Sequence, residues 1–453
     1  MSIQEQLLRH SPYEPVDHTV AMPGWNFISA GGYGVYEYTN WRDETNSWKK
    51  TAYLHTGLNP TDTVIYRGPD VIRFLSKVCV TNFNYFPVGM VKHGLMCNDD
   101  GIIIQDGVLI RTGEEEVWSY WMAPMLNFTL ESEKYGKFDV TDEYVTDKVF
   151  LFQIGGPKSF EILEGVCRDS IRELKHLRVM NTEIAGKKVR IARLGMAGTL
   201  SYEVHGNLTD AIDVYNSIWS FGKEKGMRRL GSHSYPMNHA ENGLPQVGVH
   251  FFCPRTEDVL EYVRQSSNMP FQKVATTGTG NRRPLNGSAG DDVRNYYRNP
   301  YELGWGKMIK FDHDFVGREA LEKIAEADKR HIVTLEWNAD DVADVFASQF
   351  RDGEPYKYID HPNDHKIYNM NNDKVVNEKG ETVGISFGRQ NSAFFQRMIS
   401  ICCLDKEYAE LGNELYLLWG DIGKKQKKIR VRVTRYPFNN VMRNESVDVT
   451  RLK

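Results

Sequence analysis

Hydrophobic and polar positions in the first part of the chain change repeatedly from the period of a strand to that of a helix. The runs Val64–Arg67 and Val149–Ile154 are strand-like, and each ends at a Gly-Pro turn followed by an amphipathic run. After the first turn, Asp70 is predicted to be the N-cap of a helix over Val71–Lys77. After the second turn, a helix is predicted to run through Phe160–Leu163.

Further segments of the same region show the same two periods. The pattern predicts three strands over Gly101–Ile104, Gly107–Arg111 and Val117–Trp121, with turn residues between them. It also predicts an amphipathic helix over Asp210–Lys225, which completes a β-α-β-β-α unit with helices on one face of an antiparallel sheet. The range 273–300 is predicted to be a long polar loop, and such loops tend to be functional or mobile.

Near residue 330 the pattern changes to strands alone, beginning with His331–Trp337. We therefore predict an α+β fold that closes with a C-terminal β-barrel. The predicted domains are an irregular N-terminal extension over 1–50, a body of two α+β subdomains over 51–329, and the barrel domain over 330–453. A polar insertion is expected within the barrel domain, near 338–380.

Composition narrows the class of protein. The chain has 453 residues, of which 41% are hydrophobic and 26% charged, as in soluble globular proteins. Its net charge of −4 gives no electrostatic basis for binding nucleic acid. The N-terminus lacks a signal-peptide pattern and no apolar run is long enough to span a bilayer, so a cytoplasmic location without membrane contact is expected. The six cysteines have no metal-ligand spacing, so no metal site is expected.

A glycine-bearing turn in the run Gly195–Gly206 delivers one carboxylate, Glu203, into the start of a strand. A carboxylate can accept two parallel N–H bonds from a flat guanidine-like edge, such as that of a pterin ring. The alternative is a surface glutamate on a β-hairpin. Taken alone, these residues favour the surface glutamate, so a binding role needs support from the rest of the chain.

Several segments, in order, resemble the glycine-cleavage T-protein (aminomethyltransferase) superfamily of tetrahydrofolate-dependent one-carbon transferases. They are Tyr66–Asp70, Gly101–Arg111, Gly195–Gly206, Ala240–Leu244, Glu302–Leu321 and, in the barrel region, Val383–Arg389. The resemblance implies a cloverleaf of three subdomains around a central folate channel, with tetrahydrofolate as the cofactor. It implies that Glu203 binds the pterin, and we expect Gln105, Tyr202 and Trp121 to help hold the cofactor.

Two departures from the T-protein pattern imply a different substrate. T-proteins carry two adjacent aspartates where this chain has Gln105-Asp106, and the run Leu230–Leu244 is longer and remodelled. The remodelled run, the long N-terminus and the total length resemble the tetrahydrofolate-dependent aryl O-demethylases, which act on methoxylated aromatic acids such as vanillate, syringate or 3-O-methylgallate. In that comparison the family's tyrosine falls on Tyr235 and its substrate-carboxylate arginine on Arg111. A His-rich motif of those enzymes, expected ahead of Gly-Pro-Asp, is absent.

The implied reaction moves a methyl group from an aryl ether to N5 of tetrahydrofolate, and its difficulty is the phenolate leaving group. Tyr235 suits the role of acid because its pKa, about 10, is close to that of a phenol. The following residue, Pro236, predicts an extended, projecting Tyr235. His233 is a second catalytic candidate, and His239 is expected to bind the substrate. The alternatives are a packed loop tyrosine and hydrogen-bonded loop histidines.

Two further charged residues are candidates for the same site. Asp106 is the third catalytic candidate, orienting the folate or a proton network, and its alternative is a turn aspartate before Gly107. Arg111 can hold a substrate carboxylate with two parallel hydrogen bonds. Its alternative is an ion pair with the Glu114–Glu116 cluster.

The expected function is therefore O-demethylation of a methoxylated aromatic acid, giving a phenol and 5-methyltetrahydrofolate. Three alternatives stay open: demethylation of a sulfonium or quaternary ammonium compound, aminomethyl transfer, and folate binding without catalysis. A small methoxylated aromatic molecule is the expected partner, and the sequence does not indicate an oligomeric state.

Overall fold

The structure, a computed structural model, describes residues 22–26, 32–195, 198–265, 285–363 and 370–452. Its strands are β1 Met22–Asn26, β2 Gly32–Glu37, β3 Tyr53–His55, β4 Thr63–Arg67, β5 Val91–Cys97, β6 Ile103–Gly113, β7 Glu116–Tyr120, β8 Thr141–Tyr144, β9 Val149–Gly155, β10 Val179–Ile184, β11 Lys187–Ala192, β12 Ser201–Asn207, β13 Arg228–Arg229, β14 Leu285–Asn286, β15 Arg330–Trp337, β16 Met370–Asn371, β17 Asp373–Val376, β18 Thr382–Ser392, β19 Arg397–Asp405, β20 Glu414–Trp419 and β21 Lys427–Thr434. The α-helices of the described residues are Trp41–Lys50, Val71–Val78, Met125–Glu131, Ser159–Val166, Ala211–Glu224, Tyr235–Asn242, Glu257–Gln265, Arg318–Ala327 and Ala339–Ala347.

The first large sheet has six strands in the order β10-β11-β12-β9-β3-β13. Alternate apolar side chains of its central strands, such as Phe152 and Val204, pack on the helices Ser159–Val166 and Ala211–Glu224. Because side chains alternate along a strand, the polar side chains between them face the other way. The predicted β-α-β-β-α order omitted β10, which pairs with β11 at the edge of this sheet.

The second sheet has five strands in the order β5-β6-β7-β4-β8, and the helices Val71–Val78 and Met125–Glu131 pack on one face. The two strands predicted around Gly107 are one continuous strand, β6. Gly107 lies inside the ladder opposite Gly94, and a Cβ on Gly107 would meet the carbonyl oxygen of Tyr120 at 2.1 Å. This glycine therefore permits a close approach of strands and does not make a turn.

Asp70 stands at the predicted N-cap position of the helix Val71–Val78. Its side chain makes no capping hydrogen bond to the helix Val71–Val78. The carboxylate instead accepts from the Arg73 guanidinium, at 2.6 and 3.0 Å, and from the backbone N–H of Asp139 at 2.9 Å. Asp70 therefore ties the helix start to the segment before β8.

The C-terminal strands close into a six-stranded barrel in the order β15-β19-β18-β17-β20-β21. The predicted C-terminal β-barrel is thus confirmed. The range 338–380 contains the helix Ala339–Ala347, β16 and the barrel strand β17. Of the predicted polar loop, 273–284 lies outside the described residues, and the remainder contains β14 and a short 3-10 helix at Val293–Tyr296.

The N-terminal segment is regular where the structure describes it. Residues 1–21 and 27–31 of the predicted extension lie outside the described residues. β1 and β2 pair as an antiparallel hairpin, and the helix Trp41–Lys50 follows. Asn40 caps this helix by accepting the Asp43 N–H at 3.0 Å, and Trp48 is buried in the core. The expectation of an irregular segment is wrong for this part.

The helix Tyr235–Asn242 is buried along its whole length. This corrects the extended conformation predicted for Tyr235. Pro236 stands in the first turn of the helix, where its missing N–H costs no hydrogen bond. The helix ends at Gly243, whose φ of 78° is the left-handed conformation that favours glycine. A Cβ there would also meet the Pro437 ring at 2.6 Å.

The Glu241 carboxylate joins this helix to two distant parts of the chain. It accepts the indole N–H of Trp48 at 2.8 Å and the hydroxyl of Ser392 at 2.5 Å, and it forms an ion pair with Lys49. The side chains of Lys49 and Glu241 are only 3% and 1% exposed. The charges are therefore paired away from water, between the N-terminal helix, the central helix and barrel strand β18.

A second buried carboxylate, Glu44, fixes the entry to the central helix. It accepts the backbone N–H groups of Tyr38, Thr39 and Gly231 at 2.6, 3.2 and 2.9 Å, and the Ser234 hydroxyl at 2.8 Å. Burial raises the pKa of Glu44 to about 8, because desolvation outweighs the hydrogen bonds from Gly231, Ser234 and Thr39 that lower it.

No helix within the described ranges is long and apolar enough to cross a membrane.

Removing the cation from the buried pair should destabilise the fold. Lys49→Met leaves Glu241 as an unpaired buried charge, so we expect a loss of about 3 to 5 kcal/mol in the free energy of unfolding. Urea unfolding followed by intrinsic tryptophan fluorescence measures the change. Lys50→Met, at the exposed neighbouring position, is the matched control and should change stability by less than about 0.5 kcal/mol. Equal stability of the two variants would contradict a buried, paired role for Lys49.

Glu44 should make the fold less stable as the pH rises. Its folded pKa of about 8 lies above the ordinary value of 4.5, so the native state holds the extra proton between these values. The stability it contributes is complete below pH 4.5 and is lost as the pH rises through 8, by up to about 5 kcal/mol. Glu44→Gln should flatten this part of the urea-midpoint profile, whereas Glu224→Gln, at an exposed position, should not. Parallel profiles for wild type and Glu44→Gln would refute the raised pKa.

Candidate active site

Three polar side chains lie in a row across the first sheet, on the face away from its two helices. Glu203 of β12 is directly opposite Gln153 of β9, and Gln153 is directly opposite His55 of β3. Side chains paired in this way point to the same face, with Cβ atoms about 5 Å apart. All three residues are buried. The sheet therefore presents a carboxylate, an amide and an imidazole side by side on a rigid surface.

The Glu203 carboxylate has partners on both sides but is not saturated. Gln153 Nε2 donates to Oε1 at 3.0 Å, and His205 Nε2 lies 3.2 Å from Oε2. A carboxylate can accept about four hydrogen bonds, so lone pairs are left for a ligand. Two neighbouring buried atoms, Gln153 Oε1 and His55 Nε2, have no hydrogen-bond partner among the described residues. Buried polar atoms of this kind call for a partner that the chain itself does not supply.

Aromatic and imidazole rings from the central helix cover this row. The Tyr235 ring stacks on His55 with centroids 4.6 Å apart, and His239 meets the edge of Tyr235 at 5.0 Å. Burial raises the pKa of Tyr235 well above its ordinary value, and the nearby Tyr53 hydroxyl and Glu203 carboxylate raise it further. A side-chain hydrogen bond with Gln246 acts against this rise. The Tyr235 hydroxyl still keeps its proton at neutral pH and can act as a hydrogen-bond donor.

His55 and His239 are neutral at physiological pH. Burial lowers the pKa of each imidazole to about 4. Nδ1 of His55 lies 2.9 Å from the carbonyl oxygen of Leu230, and Nδ1 of His239 lies 2.8 Å from that of Leu244. A carbonyl can only accept, so each Nδ1 carries the hydrogen. His55 therefore presents Nε2 as an acceptor beside Gln153 and Tyr235.

Asp106 of β6, in the second sheet, lies near His239. Its Oδ2 is 3.1 Å from His93 Nε2, and its Oδ1 is buried without a hydrogen-bond partner among the described residues. The Asp106 charge is close enough to raise the pKa of His239 against the larger effect of burial. The structure thus brings together Glu203, Tyr235, His239 and Asp106, four of the residues predicted from the sequence.

The donor and acceptor set fits the flat edge of a pterin. Glu203 supplies acceptor oxygens for parallel N–H groups, and the orphaned oxygen of Gln153 and nitrogen of His55 add two acceptors beside it. A metal is not indicated by the same residues, since no group of three or more His, Cys, Asp or Glu within the described ranges is arranged to hold one.

Tyr202 does not belong with these residues. It precedes Glu203 on β12, so its side chain points to the opposite face of the sheet. There it packs in the hydrophobic core with Phe152 and Val204, and it is 0% exposed. The alternation of side chains along a strand therefore corrects the prediction that Tyr202 binds the cofactor.

Gln105 and Trp121 are tied to each other. Gln105 Nε2 donates to the carbonyl oxygen of Trp121, and Gln105 Oε1 accepts from the guanidinium of Arg255. Gln105 neighbours Asp106 on β6 and so faces the other side of the sheet. Trp121 has a φ of 66°, and its side chain packs against the core that contains Tyr120 and Tyr235. The Gln105 amide therefore stabilises the strained backbone at Trp121. The Trp121 side chain lies against the same cluster as Tyr235.

The Arg111 guanidinium is hydrogen-bonded by groups away from Glu203 and Tyr235. Its guanidinium donates to the carbonyl oxygens of Phe86 and Glu114, both at 2.7 Å, to that of Gly113 at 3.3 Å, and to the Glu114 carboxylate at 3.0 Å. This is the competing ion pair identified from the sequence. The structure leaves Arg111 no role at Glu203 or Tyr235.

His233 points away from Tyr235, towards the N-terminal hairpin. Its Nδ1 is 2.5 Å from Glu37 Oε1, and its ring stacks on Tyr36 with centroids 4.3 Å apart. The structure therefore separates it from the predicted catalytic group.

Sequence reasoning missed His55, Gln153, His205, Tyr120 and His93. His205 carried a readable signal, since residues two apart on a strand share a face and it follows Glu203 by two. His55 and Gln153 carried none, because their roles depend on the pairing of β3, β9 and β12, which are far apart in the sequence.

Comparisons with known proteins identify the family. The GCVT N-terminal domain family matches residues 37–251. Sesamin methylene transferase from Sinomonas sp. (strain No.22) is 40% identical over 440 residues, which cover 94% of this chain and 95% of that protein. Syringate O-demethylase from Sphingobium sp. (strain NBRC 103272 / SYK-6) is 30% identical over 440 residues, which cover 92% of each.

A solved structure supports the fold. Aminomethyltransferase T of the glycine cleavage system from Bartonella henselae superposes with a TM-score of 0.67, over 96% of this chain and 99% of that one, at 15% identity. The predicted α+β fold of the T-protein type is thereby confirmed. With 40% and 30% identity to relatives over nearly the whole chain, the protein belongs to the GCVT family of tetrahydrofolate-dependent one-carbon-transfer enzymes.

Proposed function

We propose that this enzyme transfers a one-carbon unit from an aryl ether oxygen of a small aromatic substrate to tetrahydrofolate. Glu203, supported by Gln153, anchors the pterin, and Tyr235 donates a hydrogen bond or proton to the departing phenolate oxygen. The observation that carries the proposal is the buried stack of Tyr235 on His55, beside the Glu203–Gln153 row. It puts a proton donor next to acceptors that suit a pterin edge.

The leaving oxygen is the chemical problem that these residues answer. Tetrahydrofolate supplies a nucleophilic nitrogen that accepts the one-carbon unit. A phenolate departs slowly unless its developing charge is met by a donor, and general acids typically contribute about 10²- to 10⁴-fold. Burial raises the pKa of Tyr235. The same desolvation acts on a phenol bound beside it, so the two groups stay comparable as acids.

The rest of the rate enhancement comes from positioning. Glu203 lies on a rigid sheet and Tyr235 on a helix held by the buried Glu241 ion pair. Holding the reactants in line can supply up to roughly 7 to 11 kcal/mol of the barrier. Excluding water from buried residues also strengthens their hydrogen bonds to the substrate.

Two kinds of one-carbon unit fit this chemistry. An aryl methyl ether and tetrahydrofolate give a phenol and 5-methyltetrahydrofolate, and the N5 proton ends on the phenol oxygen. A methylenedioxy ring gives a catechol and 5,10-methylenetetrahydrofolate, and both nitrogen protons end on the two oxygens. The relative named for methylene transfer is the more similar of the two at 40% identity, and Arg111 is not placed to hold a substrate carboxylate. Both facts favour a methylenedioxy substrate, with a methoxylated aromatic acid as the second candidate.

Demethylation of a sulfonium or quaternary ammonium compound is less well supported. Such a cation is bound by an aromatic cage and needs no acid at the leaving group. The groups around Tyr235 are the neutral rings of His55 and His239, which contact its own ring, and the Glu203 carboxylate, whose charge acts on it. They suit an oxygen leaving group better than a cation.

Tyr235→Phe should abolish most of the turnover and spare folate binding. The variant loses only the hydroxyl donor, so we expect kcat to fall about 10²- to 10³-fold while the dissociation constant of tetrahydrofolate stays within twofold. Steady-state kinetics and anaerobic calorimetry measure the two quantities. Tyr66→Phe, whose hydroxyl bonds to Asn127 in another core, is the matched control and should keep kcat. Unchanged turnover in Tyr235→Phe would exclude the acid role.

The substrate class is tested by product analysis with tetrahydrofolate. We expect aromatic compounds with a methylenedioxy ring to yield a catechol and 5,10-methylenetetrahydrofolate, and methoxylated aromatic acids to react more slowly or not at all. Mass spectrometry of both products identifies the transferred unit. Turnover of methoxylated acids alone would select the second candidate. Turnover only of sulfonium compounds or methylamines, or of none of the donors, would reject aryl ether cleavage.

A further inference from the structure

A chain of buried hydrogen bonds runs from Glu203 away from the central helix. His205 Nε2 lies 3.2 Å from Glu203 Oε2, and His205 Nδ1 lies 2.7 Å from the hydroxyl oxygen of Tyr120. All three residues are buried, with relative exposures of 5% for Glu203, 4% for His205 and 2% for Tyr120. Glu203 and His205 come from the first sheet, and Tyr120 ends β7 of the second. The chain of bonds therefore crosses from one sheet to the other.

The donor and the acceptor of each hydrogen bond in this chain can be assigned by starting from Glu203. An ionised carboxylate can only accept, so His205 Nε2 carries a hydrogen and donates to Glu203. Burial lowers the pKa of His205 from its ordinary value, so the imidazole is neutral and its Nδ1 is an acceptor. The Tyr120 hydroxyl must then donate to Nδ1. All the donors thus point towards Glu203, and hydrogen bonds aligned in this way polarise one another.

A cation stands at the far end of the chain. Arg190 of β11 is directly opposite His205 of β12, so their side chains share a face. Burial raises the pKa of Tyr120, and Arg190 acts against that rise both as a charge and as a hydrogen-bonding neighbour. The Arg190 guanidinium lies over the Trp118 ring, 4.6 Å from its centroid. Arg190 is thus a hydrogen-bonding neighbour of Tyr120. The Tyr120 oxygen can accept from Arg190 while its O–H donates to His205.

We propose that Arg190, Tyr120 and His205 are positioning residues that hold the Glu203 carboxylate in one orientation, and so set the affinity for tetrahydrofolate. The proposal rests on the function proposed above, because it presumes that Glu203 binds the pterin. His205 also fixes which oxygen is occupied from within, since it takes Oε2 while Gln153 takes Oε1. The remaining lone pairs of both oxygens then face the ligand in one orientation.

The chain of hydrogen bonds from Arg190 through Tyr120 and His205 to Glu203, here called the relay, differs from ordinary core packing because it supports a buried carboxylate. Glu203 is buried yet receives only two hydrogen bonds from neutral groups within the described residues. A buried carboxylate with so few partners is costly, and a directed chain that ends on a cation lowers that cost without neutralising the charge. Second-layer hydrogen bonds of this type tune the groups that contact a ligand, as partners of metal-binding histidines do.

The test measures tetrahydrofolate binding directly, by anaerobic calorimetry without any aromatic substrate. Tyr120→Phe removes the donor to His205 and should raise the dissociation constant about 3- to 10-fold. His205→Leu removes the bond to the carboxylate and should raise it about 10- to 100-fold. His205→Gln keeps an N–H at the place of Nε2 and should lose less than His205→Leu. In steady-state kinetics the KM for tetrahydrofolate should rise while the KM for the aromatic substrate stays constant.

Tyr202→Phe is the matched control, because it deletes a buried hydroxyl next to Glu203 on the opposite face of β12. Its affinity for tetrahydrofolate should equal that of the wild type. Wild-type affinity in Tyr120→Phe and His205→Leu, with unchanged unfolding midpoints, would overturn the relay. Equal weakening in Tyr202→Phe would also overturn it, since packing alone would then explain the effect. If the wild type itself fails to bind tetrahydrofolate, the proposed function fails rather than the relay.

Discussion

The buried Glu241 carboxylate is the interaction on which the arrangement of the site depends. It is charged, almost wholly shielded from water, and bound by Trp48, Lys49 and Ser392 from two distant parts of the chain. Such a charge is tolerated only while its partners stay in place, because an unpaired buried carboxylate is strongly destabilising. The N-terminal helix, the central helix and the barrel are therefore locked together around one side chain. Tyr235 and His239 come before Glu241 on that same helix, so the contacts of Glu241 also fix their positions.

The two ends of the proposed reaction are carried by different elements. The proposed pterin anchor belongs to the first sheet, where strand register alone places Glu203, Gln153 and His55 in a row. The proton donor belongs to the central helix, and Asp106 with His93 comes from the second sheet. The fold is shared with an aminomethyltransferase at 15% identity, and one fold can carry different functional sites.

The sequence predicted features that depend on local pattern and on family likeness. The barrel, the helix near 211–224 and the strand that carries Glu203 all follow from periodicity. Tyr202 was misassigned, although the alternation of a strand already separates it from Glu203. The extended Tyr235 was wrong because the bias of the residue before a proline is weaker than the burial of a whole helix.

The remaining features depend on contacts that no local pattern records. Arg111 donates to the carbonyl groups of Phe86 and of the turn that follows it, and His233 lies against Glu37 of the N-terminal hairpin. His55 enters the site only because β3 pairs with β9, about a hundred residues later in the chain. Cross-strand register and the choice among several hydrogen-bond partners are set by the folded whole. A motif comparison therefore finds the cofactor anchor more readily than the residues around the substrate.

The central claim is that Glu203 and Tyr235 bound one site that holds the pterin and the reacting oxygen together. The most direct measurement is a crystal structure of the enzyme with tetrahydrofolate and an aromatic ligand. We expect a pterin edge within hydrogen-bond distance of the Glu203 carboxylate, with Gln153 or His55 as a further partner, and the aromatic oxygen at the Tyr235 hydroxyl. A pterin bound away from Glu203, or an aromatic ligand that does not approach Tyr235, would contradict it.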